Sequence, residues 1–230
     1  MKIFNRVSTF SVFILIGILL LISLGNWQIY RLYWKQDLIA KMQKRSQILP
    51  ISIQELEPLP ANDIKNFEFS PAIAEGHYLH TLELKLVGRT HQGQAGYHII
   101  TPLLLKTKKI LLVDRGWVPF YEKSIDRPRG LIKIKGLIRL NSEKNFFTPE
   151  NNFSSRELYF IAPHEISIKT GIKELLPFYI YISDNIQSSV FPISSPLNLK
   201  LRNFHLAYAL TWYSLALGLG ILYFLFKRKK

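Results

Sequence analysis

Cysteine is absent from this 230-residue chain, and methionine occurs only twice, once as the first residue. The lack of cysteine excludes disulfide bonds, thiolate metal sites, iron–sulfur clusters and cysteine nucleophiles. A copper(I) site of soft cysteine and methionine ligands is excluded as well. An outer domain of this protein would therefore fold without disulfides, even in an oxidising compartment.

The common enzyme motifs are also missing. The sequence contains no glycine-rich phosphate loop, no H-E-x-x-H motif and no G-x-S-x-G motif. Its 16 acidic residues show no obvious pairing. We therefore predict that the protein is not an enzyme. A membrane-tethered hydrolase is the hypothesis that a converging Ser–His pair or carboxylate pair would support.

Positive charge exceeds negative charge, with 30 Lys and Arg against 16 Asp and Glu and a net charge of +14. Between the chain ends this excess is spread out, which suits nucleic acid, anionic lipid or an acidic ligand equally. No nucleic-acid motif accompanies it. We predict membrane lipid, and no nucleic acid, among the partners.

Two long uncharged segments lie near the chain ends, and each can cross a bilayer at ~1.5 Å per residue. We predict transmembrane helices at residues 7–26 and 205–226. Lys2 and Arg6 precede the first segment, and the basic tail 227–230 follows the second. Positive charge stays inside, so both chain ends are expected in the cytoplasm.

The first segment has an alternative interpretation as a cleaved signal peptide, because residues 23–25 resemble a cleavage site. Its length and the aromatic residues that follow it, among them Trp27 and Tyr30, favour an uncleaved anchor. Residues 1–6 then lie in the cytoplasm and residues 27–204 form the outer domain. We expect a bacterial inner membrane with a periplasmic domain; the mitochondrial inner membrane is the alternative.

The outer domain shows short alternating patterns typical of a mainly antiparallel β (α+β) sheet or small barrel. The first span is expected to continue as an amphipathic helix to about residue 47, and the proline-containing stretch 50–71 to be an irregular linker or edge structure. Pro163 is expected to begin a short helix that Gly171 ends, and Gly136 to form a bulge. Strands are predicted at 82–87, 97–100, 110–113, 132–135, 159–161 and 178–182.

The second span has two faces at 100° per residue. The small residues Ala207, Thr211, Ser214 and Gly218 form one stripe, and we predict that it packs against the first span. The opposite face carries the following residues: His205, Ala209, Trp212 and Ala216.

His205 lies where the outer domain meets the bilayer, at a depth where ionisable residues tend to be functional. Imidazole is a common axial ligand of haem iron, and Tyr208 and Trp212 flank the same side of the helix. From spacing alone, an interfacial histidine bonded to a headgroup or to backbone is favoured over a ligand. The other histidines are expected to be surface or hydrogen-bonded residues.

Arg115 follows an apolar strand and precedes Gly116, which is interpreted as a turn glycine. The favoured interpretation is a structural ion pair with Asp114. The alternative is a fork that binds a propionate or a partner's carboxylate.

Three blocks of the sequence resemble the surfeit locus protein 1 family. Residues 25–35 read G-N-W-Q-I-Y-R-L-Y-W-K, residues 96–103 read G-Y-H-I-I-T-P-L, and residues 112–119 read L-V-D-R-G-W-V-P. Residues 203–213 close the series with N-F-H-L-A-Y-A-L-T-W-Y. The blocks occur in the family's order and cover nearly the whole chain.

The resemblance implies an assembly factor for haem–copper cytochrome c oxidase that binds haem a or hands it over to the catalytic subunit. The haem a synthesis machinery is a further expected partner. His205 falls on the family's suggested haem ligand, so it is the predicted ligand of haem iron. This chain has Phe204 where the family usually has asparagine, and residues 194–196 replace the family's usual Gly-Gly turn.

In this hypothesis Tyr208 and Trp212 wall the site, and Arg115 or Arg202 meets the haem propionates. The alternative is a membrane-anchored protein–protein scaffold for oxidase subunits that binds no haem. Copurification of haem a with the protein distinguishes the two.

Overall fold

The computed structural model describes residues 9–142, 144–183, 190–194 and 203–228. The chain divides into a helical unit, formed by the two chain ends, and a barrel unit of residues 42–198. The predicted propionate partner Arg202 and residues 195–196 of the predicted loop 192–196 lie outside the described residues.

The helical unit consists of two long apolar helices, α1 (Thr9–Ser46) and α5 (His205–Arg228). Both are long and apolar enough to cross a membrane, and hardly any of their most apolar stretch is buried inside the protein. A core helix of a soluble protein would be mostly buried. The predicted continuation of the first span as helix is confirmed, because α1 runs without a break to Ser46.

The face of α5 that packs against α1 is the one opposite to our prediction. Ala209 and Ala216 are buried, whereas Ala207, Thr211 and Ser214 are exposed. Further along the helices, Leu219 approaches Gly17, and the rings of Phe10 and Phe226 are tilted by 58° with centroids 5.6 Å apart. The prediction for the small-residue stripe is therefore wrong, since a stripe of small residues does not by itself select the packed face.

Within the described residues the barrel unit has eight strands and three short helices. The strands are β1 (Ile51–Ser52), β2 (Pro71–Tyr78), β3 (Leu84–His91), β4 (Gln94–Leu105), β5 (Ile110–Pro119), β6 (Ile132–Arg139), β7 (Glu157–Leu158) and β8 (Leu175–Ile182). The helices are α2 (Ile53–Leu56), α3 (Ala61–Ile64) and α4 (Pro163–Thr170), with 3₁₀ turns at Lys65–Phe67 and His80–Leu82.

The sheet closes on itself. Its strand order is β1-β2-β6-β8-β5-β4-β3-β7, and an additional β2–β4 pairing joins the ring β2-β6-β8-β5-β4. One edge of β4 serves two strands, β3 along its first half and β2 at Leu103–Leu105. Pairing is antiparallel except for β1–β2, β3–β7 and β5–β8. The predicted mainly antiparallel small barrel is confirmed.

The interior is filled from all sides of the ring. Leu103 on β4, Val113 on β5 and Phe178 on β8 are completely buried in its main cluster. Burial of such side chains stabilises a domain by ~1.5–3 kcal/mol each. A second cluster contains Ile166, where α4 packs, and α4 begins with Pro163 and ends at Gly171 with φ +72°, as predicted.

The structure contradicts the predictions for two glycines, a bulge at Gly136 and a turn at Gly116. Gly136 pairs regularly with both Ala72 and Ile182, so it forms no bulge. A Cβ at this position would lie 2.3 Å from the carbonyl oxygen of Tyr181, so close backbone approach requires the glycine. Gly116 is not in a turn but lies inside β5, with φ +118°.

Two other local predictions need correction. The predicted strand at 159–161 is wrong. The paired residues are Glu157 and Leu158 of β7, which pair with Lys85 and Leu86 of β3. Leu82 lies in a 3₁₀ turn, and the predicted strand begins at Leu84.

Candidate functional site

A pair of polar contacts joins the two helices of the helical unit. Nδ1 of His205, at the start of α5, lies 2.7 Å from Oε1 of Gln28 on α1. The hydroxyl of Tyr213 donates a hydrogen bond of 2.7 Å to Oδ1 of Asn26. One turn of α1 therefore receives contacts from two residues that lie about two turns apart on α5.

Gly25 makes this approach feasible. It is buried, and a Cβ here would lie 2.5 Å from Cε1 of Tyr213. A larger side chain would displace the tyrosine ring and with it the hydrogen bond to Asn26. The G-N-x-Q pattern of residues 25–28 thus combines a close approach with two hydrogen-bond acceptors.

The contact with Gln28 selects one tautomer of a neutral imidazole. An amide oxygen only accepts hydrogen bonds, so Nδ1 of His205 carries the proton. The neutral ring then presents an unprotonated Nε2, and no described residue donates a hydrogen bond to it. Metal-binding histidines in proteins commonly have their second ring nitrogen held by such a hydrogen bond.

The surroundings suit a metal that carries its own ligands. Among the described residues no three His, Asp or Glu side chains could hold a metal ion together. A single imidazole is sufficient for haem iron, because the porphyrin supplies the equatorial ligands. In the described part of the chain, Oδ1 of Asn203 is buried without a hydrogen-bond partner. Such an orphaned acceptor is costly and would be stabilised by a ligand's donor.

The two predicted aromatic walls differ in exposure. Trp212 is half-buried on the face of α5 that carries His205. Tyr208 is 56% exposed. This part of α5 therefore carries one partly sheltered aromatic ring and one exposed aromatic ring.

The barrel unit holds a second cluster of functional groups around Arg115. Two residues of β5, Arg115 and Gly116, oppose one residue of β4 between the pairs His98–Trp117 and Ile100–Asp114. This β-bulge changes the direction of the Arg115 side chain, as bulges commonly do beside binding sites. The side chain is 6% exposed, and its guanidinium lies 4.9 Å from the ring centroid of Tyr78.

Glu83 is the centre of this cluster. Its carboxylate lies 2.7 Å from Nδ1 of His80, 3.4 Å from Nη1 of Arg115 and 2.9 Å from Nε of Arg127. Thr101 donates a further hydrogen bond of 3.3 Å to it. Nη2 of Arg115 donates to the backbone carbonyl of Asp126 at 2.6 Å.

The predicted ion pair between Arg115 and Asp114 does not form. Asp114 pairs instead with Nδ1 of His98 at 2.9 Å and accepts a hydrogen bond from the backbone N–H of Gly116 at 3.0 Å. Neighbouring residues of a strand point to opposite faces, so the two side chains separate. His80 and His98 are hydrogen-bonded, as expected of the domain histidines.

A cavity of about 600 Å³ lies beside this cluster. The last residue pair between β6 and β8 is Gly136 with Ile182, so among the described residues the first half of β6 has no strand partner on that side. The segment 190–194 closes part of the gap, because Trp117 and Ile193 exchange backbone hydrogen bonds of 2.9 and 2.8 Å. Arg115 and Tyr78 line the cavity together with apolar side chains.

Buried tyrosines make the barrel sensitive to alkali. Burial raises the pKa of Tyr179 to about 12, above its ordinary value of 10. A group whose pKa is raised on folding contributes its full stability below pH 10 and loses it as the pH rises toward 12. We expect Tyr179→Phe to lose roughly 2 kcal/mol less stability over this interval than the wild type does.

The measurement is the free energy of unfolding from urea titrations at pH 9 and pH 12, with the exposed Tyr121→Phe as control. An identical alkaline loss in Tyr179→Phe and wild type would contradict this assignment.

The predicted site residues fall into two groups. His205, Tyr208 and Trp212 share α5, whereas Arg115 belongs to the barrel unit. Sequence reasoning assigned no role to Gln28 or to Glu83. Gln28 could have been noticed as a polar residue at the end of an apolar span; Glu83 resembled any polar residue of an alternating strand.

Fold and site together describe a mixed β-barrel flanked in sequence by two apolar helices, which have the length and composition of membrane spans and are joined by two polar contacts. The SURF1 family model matches residues 15–217. The chain is 31% identical to Surfeit locus protein 1 of Homo sapiens, over 88% of this chain and 72% of that one. It is 31% identical to the SURF1-like protein of Rickettsia conorii, over 96% and 92% of the two chains.

This chain belongs to the SURF1 family, a family of non-catalytic cytochrome oxidase assembly factors. The resemblance noted in the sequence and the expectation that the protein is not an enzyme are both confirmed by this membership. Relatives in bacteria and in animals, together with two candidate spans, support a membrane location. The bilayer boundaries at 7–26 and 205–226 stay predictions.

Proposed function

We propose that this protein carries haem a in the membrane and hands it over to the catalytic subunit of cytochrome c oxidase. The observation that carries the proposal is the His205–Gln28 contact through Nδ1, which leaves Nε2 of the imidazole without a hydrogen-bond partner among the described residues. Membership in a family of oxidase assembly factors supplies the context. The haem a synthesis machinery is the proposed source of the cofactor.

The helix surface around His205 supports binding of a flat apolar molecule. Trp212 and Tyr208 offer aromatic faces, and the remaining surface of α5 is apolar and exposed. An apolar macrocycle at the edge of the bilayer stays out of water. Arg202, which precedes His205 by three residues, remains the proposed partner of the propionates.

The chain's own groups have separate roles in this proposal. Haem a, when bound, supplies an iron atom that accepts an axial ligand. His205 offers Nε2, Gln28 holds the ring through Nδ1, and Asn203 provides an unsatisfied acceptor. A single protein ligand suits a carrier, because the cofactor must leave again.

The test is haem occupancy of His205→Ala purified from cells that make haem a. We expect haem a to copurify with the wild type and occupancy to fall at least about tenfold in the variant, because the axial nitrogen is lost. The measurement is the absorption spectrum together with extracted haem per protein. The exposed barrel histidine His164 provides the control, since His164→Ala should retain wild-type occupancy.

Full occupancy and an unchanged spectrum in His205→Ala would exclude His205 as the ligand. A wild-type protein without haem, purified from the same cells, would favour the scaffold function for oxidase subunits.

A further inference from the structure

The cavity of the barrel unit combines an apolar wall with a buried cation. Its apolar lining comes mainly from β6, the end of β8 and the segment 190–194, and the guanidinium of Arg115 faces it from β5. The residues of the apolar lining are Pro128, Ile132, Ile134, Ile182, Val190, Phe191 and Pro192. A mixed lining of this size is typical of sites for small amphiphilic ligands.

The charge beside the cavity is unbalanced. Arg115 and Arg127 share the single carboxylate of Glu83, which His80 also engages. The group therefore keeps at least one positive charge in excess, even with a neutral histidine. The exposed side chains of Lys133 and Asp126 line the cavity as well, and their charges offset each other.

Arg115 is the member of this group that an incoming anion would meet. Arg127 is 46% exposed and solvated, whereas Arg115 is 6% exposed. A buried excess charge is costly unless an opposite charge compensates it. Its contact with Glu83 is long at 3.4 Å, and the ring of Tyr78 lies 4.9 Å from the guanidinium.

We propose that this cavity binds a small amphiphile with one carboxylate, of the fatty-acid class. The carboxylate meets Arg115, and the apolar chain lies along the isoleucines. Tyr78 donates a second hydrogen bond, since burial raises its pKa to about 12 and keeps the hydroxyl protonated.

Two features favour this class over a simple anion. The volume of about 600 Å³ and its apolar wall would be left unfilled by phosphate or acetate. A protein with two membrane spans also works beside a supply of lipid-derived acids. The site is independent of the proposed haem function, because all its residues belong to the barrel unit.

The experiment is equilibrium dialysis of labelled octanoate against the full chain in lipid nanodiscs, with empty nanodiscs as blank. Octanol and acetate are the matched probes, because each lacks one half of the ligand. We expect saturable binding of octanoate, and binding of either probe at least about tenfold weaker.

Substitutions around Arg115 test where the carboxylate of the ligand binds. Arg115→Gln should weaken octanoate binding about tenfold through loss of the charge-assisted hydrogen bond. Glu83→Gln should strengthen it several-fold, because the competing carboxylate is removed. Arg139→Gln is the control, since Arg139 pairs with Glu68 and does not line the cavity.

Cavity filling provides a test that does not depend on the buried charge. Ile132 is half-buried in the lining, and Ile132→Trp should abolish saturable binding while the spectrum of the barrel is retained. His205→Ala should bind octanoate like the wild type, which separates this site from the haem site. Wild-type binding that is equal for octanoate and octanol, or octanoate affinity unchanged in folded Arg115→Gln or Ile132→Trp, overturns the proposal.

Discussion

Gly116→Ala is expected to destabilise the barrel unit by about 3 kcal/mol or more. Gly116 has φ +118°, a conformation that L side chains rarely adopt, and an added Cβ would lie 2.3 Å from the carbonyl oxygen of Ile193. The neighbour is backbone, so it cannot rotate away. The clash can be removed only if the Trp117–Ile193 hydrogen bonds break and the segment 190–194 detaches from β5.

Gly93→Ala is a matched control that measures the cost of a positive φ without any steric clash. It has φ +83°, and nothing lies within 4 Å of its added Cβ. Gly93→Ala should therefore cost only about 1 kcal/mol. Urea unfolding of both variants, followed by near-UV circular dichroism, measures the difference. Equal costs for the two would mean that the close approach at Ile193 has no energetic weight.

Gln28→Leu is expected to lower haem a retention about 10–100-fold, which is the usual effect of removing the group that orients a metal-binding histidine. Leucine fills a similar volume but accepts no hydrogen bond. The imidazole of His205 then loses its preference for the proton on Nδ1 and for one ring orientation. The measurement is the rate at which haem a transfers from purified protein to an excess of apomyoglobin.

Tyr213→Phe is the matched control for helix pairing. It removes the hydrogen bond to Asn26, which has the same length of 2.7 Å, and leaves His205 and Gln28 in place. We expect near wild-type retention from this variant. Equal losses in Gln28→Leu and Tyr213→Phe would show that the glutamine only joins the helices, and would remove its role toward the imidazole.

Local patterns predicted the elements whose determinants are local. Short apolar runs at 97–100, 110–113 and 178–182 located β4, β5 and β8, because a short run rich in β-branched and aromatic residues is typical of a strand whatever its partner. The β-bulge was predicted at Gly136 but occurs at Gly116, because its determinants are not local. Both glycines lie in strands, and only the residue across the sheet decides which one forms a bulge.

The candidate sites were predictable in part for the same reason. His205 was identified from its position at the end of an apolar span, which is a local property. Its partner Gln28 is 177 residues away along the chain, so no spacing rule connects them. The separation of Asp114 from Arg115 could have been anticipated, because strand neighbours face opposite ways. The position of Glu83 between two arginines depends on the closure of the barrel.

The anchoring of one imidazole to a residue of the neighbouring helix has a consequence for different lipid environments. Bilayers differ in hydrocarbon thickness by several ångströms, and a single helix adapts by tilting or sliding. Here His205 and Gln28 must shift together, since a bond of 2.7 Å joins them. In the proposed function, the position of Nε2 relative to Gln28 would thereby be insulated from lipid composition, and one protein could serve membranes of unequal thickness.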